Sequence, residues 1–209
     1  MRTLYQWIAL VSLGICIASL LYHFFRLIRL GSPKDYSKPS GKIAPSVLYS
    51  FTGAMNPAKK ESAFLHLPTY TAGVIYHFGS FLSIILFFVL FFRISIIERF
   101  SWLISGMLLI SAICGLGMLI KRIVKKALRH LSNPDDYISN ALVTLYQVMT
   151  ALTMINRYWI PAYFIITSLL LLYIPLVKLK HVIYFFAARY HLGFFFGWRG
   201  IWPPRKVNL

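Results

Sequence analysis

One stretch limits what this chain can become. Tyr70–Arg93, reading YTAGVIYHFGSFLSIILFFVLFFR, is almost wholly apolar over about the length needed to cross a bilayer. Inside hydrocarbon every backbone N–H and C=O must find its partner within the protein. Such a run, without strand-like alternation, is therefore a helix. One titratable group interrupts it, His77. An ionisable side chain at that depth is costly and needs a partner: a metal, another polar group or a water-filled path. Gly73 lies four residues before His77 and Ser80 three after, so the three share a helix face. Small residues there let something flat approach the backbone.

Composition places the whole chain in the same class. Of its 209 residues 58% are hydrophobic and only 13% charged, against about 25% charged in a soluble domain. Mean hydropathy is +0.68. The net charge of +17 does not mark a nucleic-acid binder, because the basic residues sit between apolar runs rather than interleaved with aromatics on one solvated face. Cys16 and Cys114 both fall inside apolar runs and read as small buried residues. With no cysteine pair at cluster spacing, the chain is expected to carry no iron–sulfur cluster of its own. There is no internal repeat, and the chain reads as a single membrane domain, 1–209.

Five apolar runs predict an all-α, five-transmembrane-helix bundle. The helices are expected at about 4–25, 70–93, 102–130, 136–155 and 160–186. The first run is too long for a signal-peptide core and lacks a cleavage site, so it reads as an uncleaved span. His23 ends it, followed by Arg26. The connection 31–68 is rich in Pro and Gly, which argues against a long helix. Lys34, Lys38, Lys42, Lys59 and Lys60 make it basic, and His66 closes it as a solvated loop residue. Gly106, Gly115 and Gly117 suit close packing of the third helix. Its basic end, Lys121–His130, is expected to continue the helix past the headgroups. Ser132-Asn133-Pro134-Asp135-Asp136 has the form of a helix start. The fourth run carries Asn140, Thr144, Gln147, Thr150 and Thr153, a stripe that should face the interior as inter-helix hydrogen bonds or as a cofactor lining. Pro175 is expected to kink the fifth helix.

Lys and Arg number seven in 26–62, five in 121–136 and six in 178–209, against Arg2, Arg93, Arg99 and Arg157 elsewhere. The basic group belongs in the cytoplasm, which puts the N-terminus outside and the C-terminus, with its tail 187–209, inside. His77 is then about 13 Å along the second helix, counted from Pro68 at 1.5 Å per residue. His181 sits near the cytoplasmic end of the antiparallel fifth helix. Two imidazoles at matching depth across a bundle are placed as axial ligands of a b-type haem. Two structural histidines near the headgroups are the plainer alternative.

The segments YHFGSF at 76–81 and YIPLVKLKHVIYFFAARY at 173–190 resemble the membrane cytochrome b family. That family comprises respiratory nitrate reductase gamma subunits and the membrane subunits of heterodisulfide reductase and of sulfate-reducer redox complexes. The resemblance extends to the five-helix order and the closing P-L-x-K-x-x-H segment. It implies a respiratory redox-complex subunit in a prokaryotic cytoplasmic membrane. Such a subunit exchanges electrons between menaquinone, or another quinone, and a cytoplasmic iron–sulfur subunit. Its haem b ligands map onto His77 and His181, with Gly73 and Ser80 packing against the ring. His23 and Arg26 are candidates for the quinone site, and His23 is the rival ligand. In the two-haem pattern further histidines stand where this chain has Phe87 and Tyr163, so one haem is expected, not two. His191 reads as a contact for a partner or headgroups. The alternative is a haem-free membrane anchor for a cytoplasmic oxidoreductase. An unrelated transport component would usually show intramembrane acids, and no Asp or Glu falls within a run.

Overall fold

A computed structural model describes residues 3–30, 36–56 and 65–204. All regular structure among them is helical. The long helices are α1 (Leu4–Leu30), α3 (Leu67–Phe91), α4 (Glu98–Val124), α6 (Pro134–Ile155) and α7 (Ile160–Tyr173); shorter ones are α2 (Ile43–Phe51) and α5 (Lys126–His130), and α8 (His181–Trp198) closes the chain. Among the described residues, five segments are long and apolar enough to cross a membrane: α1, α3, α4, α6 and the stretch Arg157–Leu176 that contains α7. The chain is built as a multi-pass membrane protein. It divides into two compact units, Met1–Ile17 with Pro68–Leu179 and Ala18–Leu67 with Lys180–Leu209.

In the first unit the core is aromatic. Phe87, Phe91, Tyr146, Tyr163 and Phe164 pack together with Ala9, Met149 and Leu170. Where two helices approach closely, a glycine makes the room. A Cβ on Gly115 of α4 would stand 2.6 Å from the Thr144 hydroxyl oxygen and against the Tyr76 ring, and one on Gly79 of α3 would strike the Ser111 side chain. Gly106 and Gly117 have nothing within 4 Å, so of the three glycines expected to pack α4 only Gly115 does so. Ser105 ties α4 to α6 by donating to the Ala151 carbonyl at 2.9 Å.

The ends of the helices follow local chemistry. Arg93 takes a positive φ of 56° after α3, and the amide of Ile94 reaches back to the Val89 carbonyl at 2.9 Å, a left-handed cap that usually falls to glycine. At the start of α6, Asn133 and Asp136 exchange side-chain and backbone hydrogen bonds at 3.2 and 3.0 Å, with Pro134 in the first turn, as the sequence suggested.

Two expected helices are interrupted. The third does not run from 102 to 130: α4 ends at Val124, Lys125 is extended, and α5 is separate. Lys121 with Lys125 and Arg122 with Lys126 would set like charges one turn apart in a continuous helix. Arg122 instead reaches the Ser132 hydroxyl at 3.1 Å and Asp136 at 3.5 Å as the chain turns into α6. The fifth helix breaks rather than kinks. It stops at Tyr173, passes through short 3₁₀ turns at Ile174–Leu176 and Lys178–Lys180 with Val177 extended between them, and restarts at His181. Pro175 has no N–H to give and crowds the carbonyl four residues back.

In the second unit α2 lies against α8. Helix α2, nine residues long, forms inside the connection whose Pro and Gly argue against a long helix, and of which 31–35 and 57–64, with Lys34, Lys59 and Lys60, lie outside the described residues. Ser46 and Ser50, one turn apart on α2, are fully buried. On α8, Gly197 meets Ser46, and Gly193, one turn earlier, meets Val47. A Cβ on Gly197 would stand 2.7 Å from that of Ser46, and one on Gly193 would lie 2.9 Å from the Val47 nitrogen. Paired small residues let two backbones approach this closely. Ser50 donates to the Arg189 carbonyl at 2.8 Å, and Ser46 to that of Trp202. Residues 187–198, expected as part of a tail, are therefore helical and packed.

Candidate functional site

Helix α3 buries Tyr76, Gly79, Ser83, Leu86, Phe87 and Phe91 on one side. His77 follows Tyr76 by one residue and therefore stands at the outward side, exposed. Its ring lies 6.5 Å from that of Phe81 at 30° and 6.4 Å from that of Tyr76 at 50°. One turn earlier, a Cβ on Gly73 would meet nothing within 4 Å. Helix α3 thus presents an imidazole beside an open, side-chain-free patch of backbone. Ser80 serves the interior instead: its hydroxyl donates to the Tyr76 carbonyl at 2.8 Å and accepts from the Gln147 amide at 2.8 Å.

That interior network joins α3 to α6. Gln147, fully buried, also donates to the Tyr76 carbonyl at 3.1 Å. The Tyr76 hydroxyl donates to the Asn140 carbonyl at 3.0 Å and lies 3.1 Å from the Thr144 hydroxyl. Tyr146 donates to the Ser83 carbonyl at 2.8 Å. Thr150 and Thr153 donate to carbonyls of their own helix. Of the two roles open to the polar stripe, inter-helix hydrogen bonding accounts for the side chains of Thr144 and Gln147, while the Asn140 side chain accepts from Thr144 of its own helix at 3.3 Å. The Gln147 carbonyl oxygen and the Ser83 and Tyr163 hydroxyls are buried without a hydrogen-bond partner among the described residues.

His181 opens α8 in the second unit and is exposed. His77 and His181 thus belong to different units. His23 and Arg26 lie in the later part of α1, one turn apart, half-buried and exposed respectively, with the His23 ring edge-on to Tyr22 at 5.7 Å. His66 is exposed just before α3. His191 on α8 is half-buried, its Nε2 closed off without a hydrogen-bond partner among the described residues. No group of three or more His, Cys, Asp or Glu among the described residues could hold a metal ion by itself. Phe87 and Tyr163 share the aromatic core, Phe87 packing 6.2 Å and Tyr163 5.1 Å from Phe164 ring to ring. The space at those two positions is filled by protein.

Sequence reasoning missed a cluster at the start of α6. Asp135 accepts from the Tyr173 hydroxyl at 2.7 Å, the Ser139 hydroxyl at 2.8 Å and the Lys178 backbone N–H at 2.9 Å. Asp136 takes the Lys178 ammonium at 2.9 Å. Both acids look like ordinary helix-start residues in the sequence, and their distant partners lie about 40 residues on, without local signal. No protein-family model matches the chain, and no curated protein and no solved structure matches it.

Proposed function

We propose that this chain is the haem b membrane subunit of a respiratory redox complex in a prokaryotic cytoplasmic membrane. It exchanges electrons between menaquinone, or another quinone, and a cytoplasmic iron–sulfur subunit. His77 and His181 would hold a single haem, with the N-terminus outside and the C-terminus in the cytoplasm. The observation that carries this reading is His77 itself: an imidazole on the outward side of an apolar spanning helix, one turn from the open backbone at Gly73. Imidazole is a b-haem ligand, and a glycine without neighbours leaves a planar macrocycle room to lie against the helix, so the residues present fit the group. The filled core at Phe87 and Tyr163 is consistent with one haem rather than two.

Bound haem supplies one-electron chemistry. The chain's share is ligation and orientation. Each histidine would have to be neutral to offer a nitrogen to iron, and its other nitrogen would be left to donate to an acceptor that fixes the ring. The basic residues of 26–62 and 178–209 favour an acidic partner face on the cytoplasmic side. His23 and Arg26 are the candidates for quinone contact.

The test is haem per chain and the reduced-minus-oxidised spectrum of the wild type and of His77→Ala, His181→Ala and His23→Ala. One haem in the wild type and the His23 variant, lost in the other two, is expected. Two haems, or full retention without His77, overturns the ligand assignment. No haem band in the wild type leaves the chain as a haem-free anchor.

A further inference from the structure

Helix α8 has two unlike sides. One carries Ala187, Gly193 and Gly197, buried toward α2. The other carries Phe185, Ala188, Leu192 and Phe195, which recur at steps of three and four residues and so share one face. All four are exposed, the larger three at 38, 39 and 46%. The outer side of α2 is more mixed: Ala44, Pro45, Leu48 and Thr52 are exposed there. The α2–α8 pair is thus apolar and aromatic on its α8 side and less so on its α2 side.

Two cations edge the α8 stripe. The Arg189 guanidinium lies over the Phe185 ring at 5.6 Å, and that of Arg199 over the Phe195 ring at 3.7 Å. Stacking uses the planar face of a guanidinium, whereas phosphate is bound through its N–H edge, so one side chain can serve both. No acidic residue lies among the described residues of this unit, while Lys38, Lys42, Arg189 and Arg199 all do.

An apolar stripe of this kind is not left in water. A second copy seated on it would crowd two pairs of arginines at one seam, with no acid among the described residues of the unit to offset them. A bilayer has no such difficulty, and this unit already contains the end of a spanning segment, Ala18–Leu30 of α1. Helix α8 itself, with two histidines and an arginine in its 18 residues, is not among the segments apolar enough to cross. Helices of this make-up lie in the plane of the interface, with Phe and Leu in the acyl boundary and cations at the headgroups.

We propose that α8 lies along the membrane surface and docks on anionic phospholipid. Phe185, Ala188, Leu192 and Phe195 enter the acyl boundary, Arg189 and Arg199 bind headgroup phosphates, and α2 covers the side of α8 turned to water. Lys38 and Lys42, which precede α2, remain for a protein partner.

The test uses the full-length protein with Cys16→Ala and Cys114→Ala, in nanodiscs of equal phosphatidylcholine and phosphatidylglycerol. A benzophenone is attached to Ala188→Cys or to Leu48→Cys, and the molecules it captures under light are identified by mass. The probe at 188 is expected to capture lipid, with phosphatidylglycerol in excess, and the probe at 48 little or none. Arg189→Gln and Arg199→Gln should each lower that excess by up to about fivefold, while Arg189→Lys and Arg199→Lys keep most of it. Capture of a second copy or of no lipid at 188 overturns the docking. Equal capture at 188 and 48 overturns the orientation of the pair. Lipid captured in the nanodisc ratio, or an excess indifferent to both Gln variants, overturns the recognition of anionic headgroups.

Discussion

The Gln147 amide on α6 donates to the Tyr76 carbonyl on α3 at 3.1 Å, and in doing so crosses from one spanning helix to another. Tyr76 keeps a second donor for that carbonyl in Ser80 of its own helix. Losing Gln147 therefore need not orphan the acceptor, and its own carbonyl oxygen is already buried without a partner among the described residues. Gln147→Leu is expected to cost about 1 kcal/mol or less, within the range found for hydrogen bonds between membrane helices. Gln147→Ala adds an unfilled space and should cost about 2–3 kcal/mol. Reversible unfolding in mixed detergent micelles measures both; equal costs would show that the hydrogen bonds, not the filled volume, matter at this site.

The glycines of the first unit should divide sharply. Gly79→Ala and Gly115→Ala place a Cβ against Ser111 and against the Tyr76 ring and Thr144. Each is expected to destabilise by about 1–3 kcal/mol, the usual cost of overpacking. Gly106→Ala and Gly117→Ala meet nothing within 4 Å. They should be neutral or stabilising by up to about 1 kcal/mol, through helix propensity. The same unfolding measurement ranks all four.

Gly193→Val tests the second unit by itself. Its side chain would press on the Val47 backbone and lift α2 from α8. Protease should then cut within Ile43–Phe51 at least several-fold faster, while the helical circular dichroism of the spans changes little. An unchanged cutting rate would show that α2 is held by other contacts, such as the edge-on pair Tyr49–Trp202 at 5.4 Å.

Orientation follows from the distribution of Lys and Arg. Reporter tags after Leu209 and near Lys42 should read cytoplasm, and one near Arg157 should read outside. An external signal from the C-terminal tag would require a different number of spans or the opposite insertion.

The spans were legible because a run of some twenty apolar residues has few alternatives in a chain this poor in charge. The cap at Asn133 was legible because its chemistry is local. The rest depended on partners far away in sequence. Ser46, Ser50, Gly193 and Gly197 have no hydrophobic signature, since they pack through smallness rather than apolar area. Asp135 looked like a helix-start acid, and nothing near it foretold Tyr173 or Lys178. Pro175 was visible, but whether a proline bends or ends a helix depends on what receives the freed backbone groups, and here an acid on another helix does. For the candidate site, residue type and depth in the run singled out His77, and the structure adds its outward placement and the open backbone at Gly73.

The pairing of α2 with α8 also sets a timetable for the ribosome. The serine of α2 that bonds the Arg189 carbonyl lies 139 residues earlier in the chain. At ordinary elongation rates α2 emerges on the order of ten seconds before its partner. During that interval four further spans must be threaded into the bilayer while a short helix with two buried serines waits unmatched. Assembly of this unit therefore follows synthesis of all five spans, and a chain truncated before Gly193 would insert its spans yet never close it.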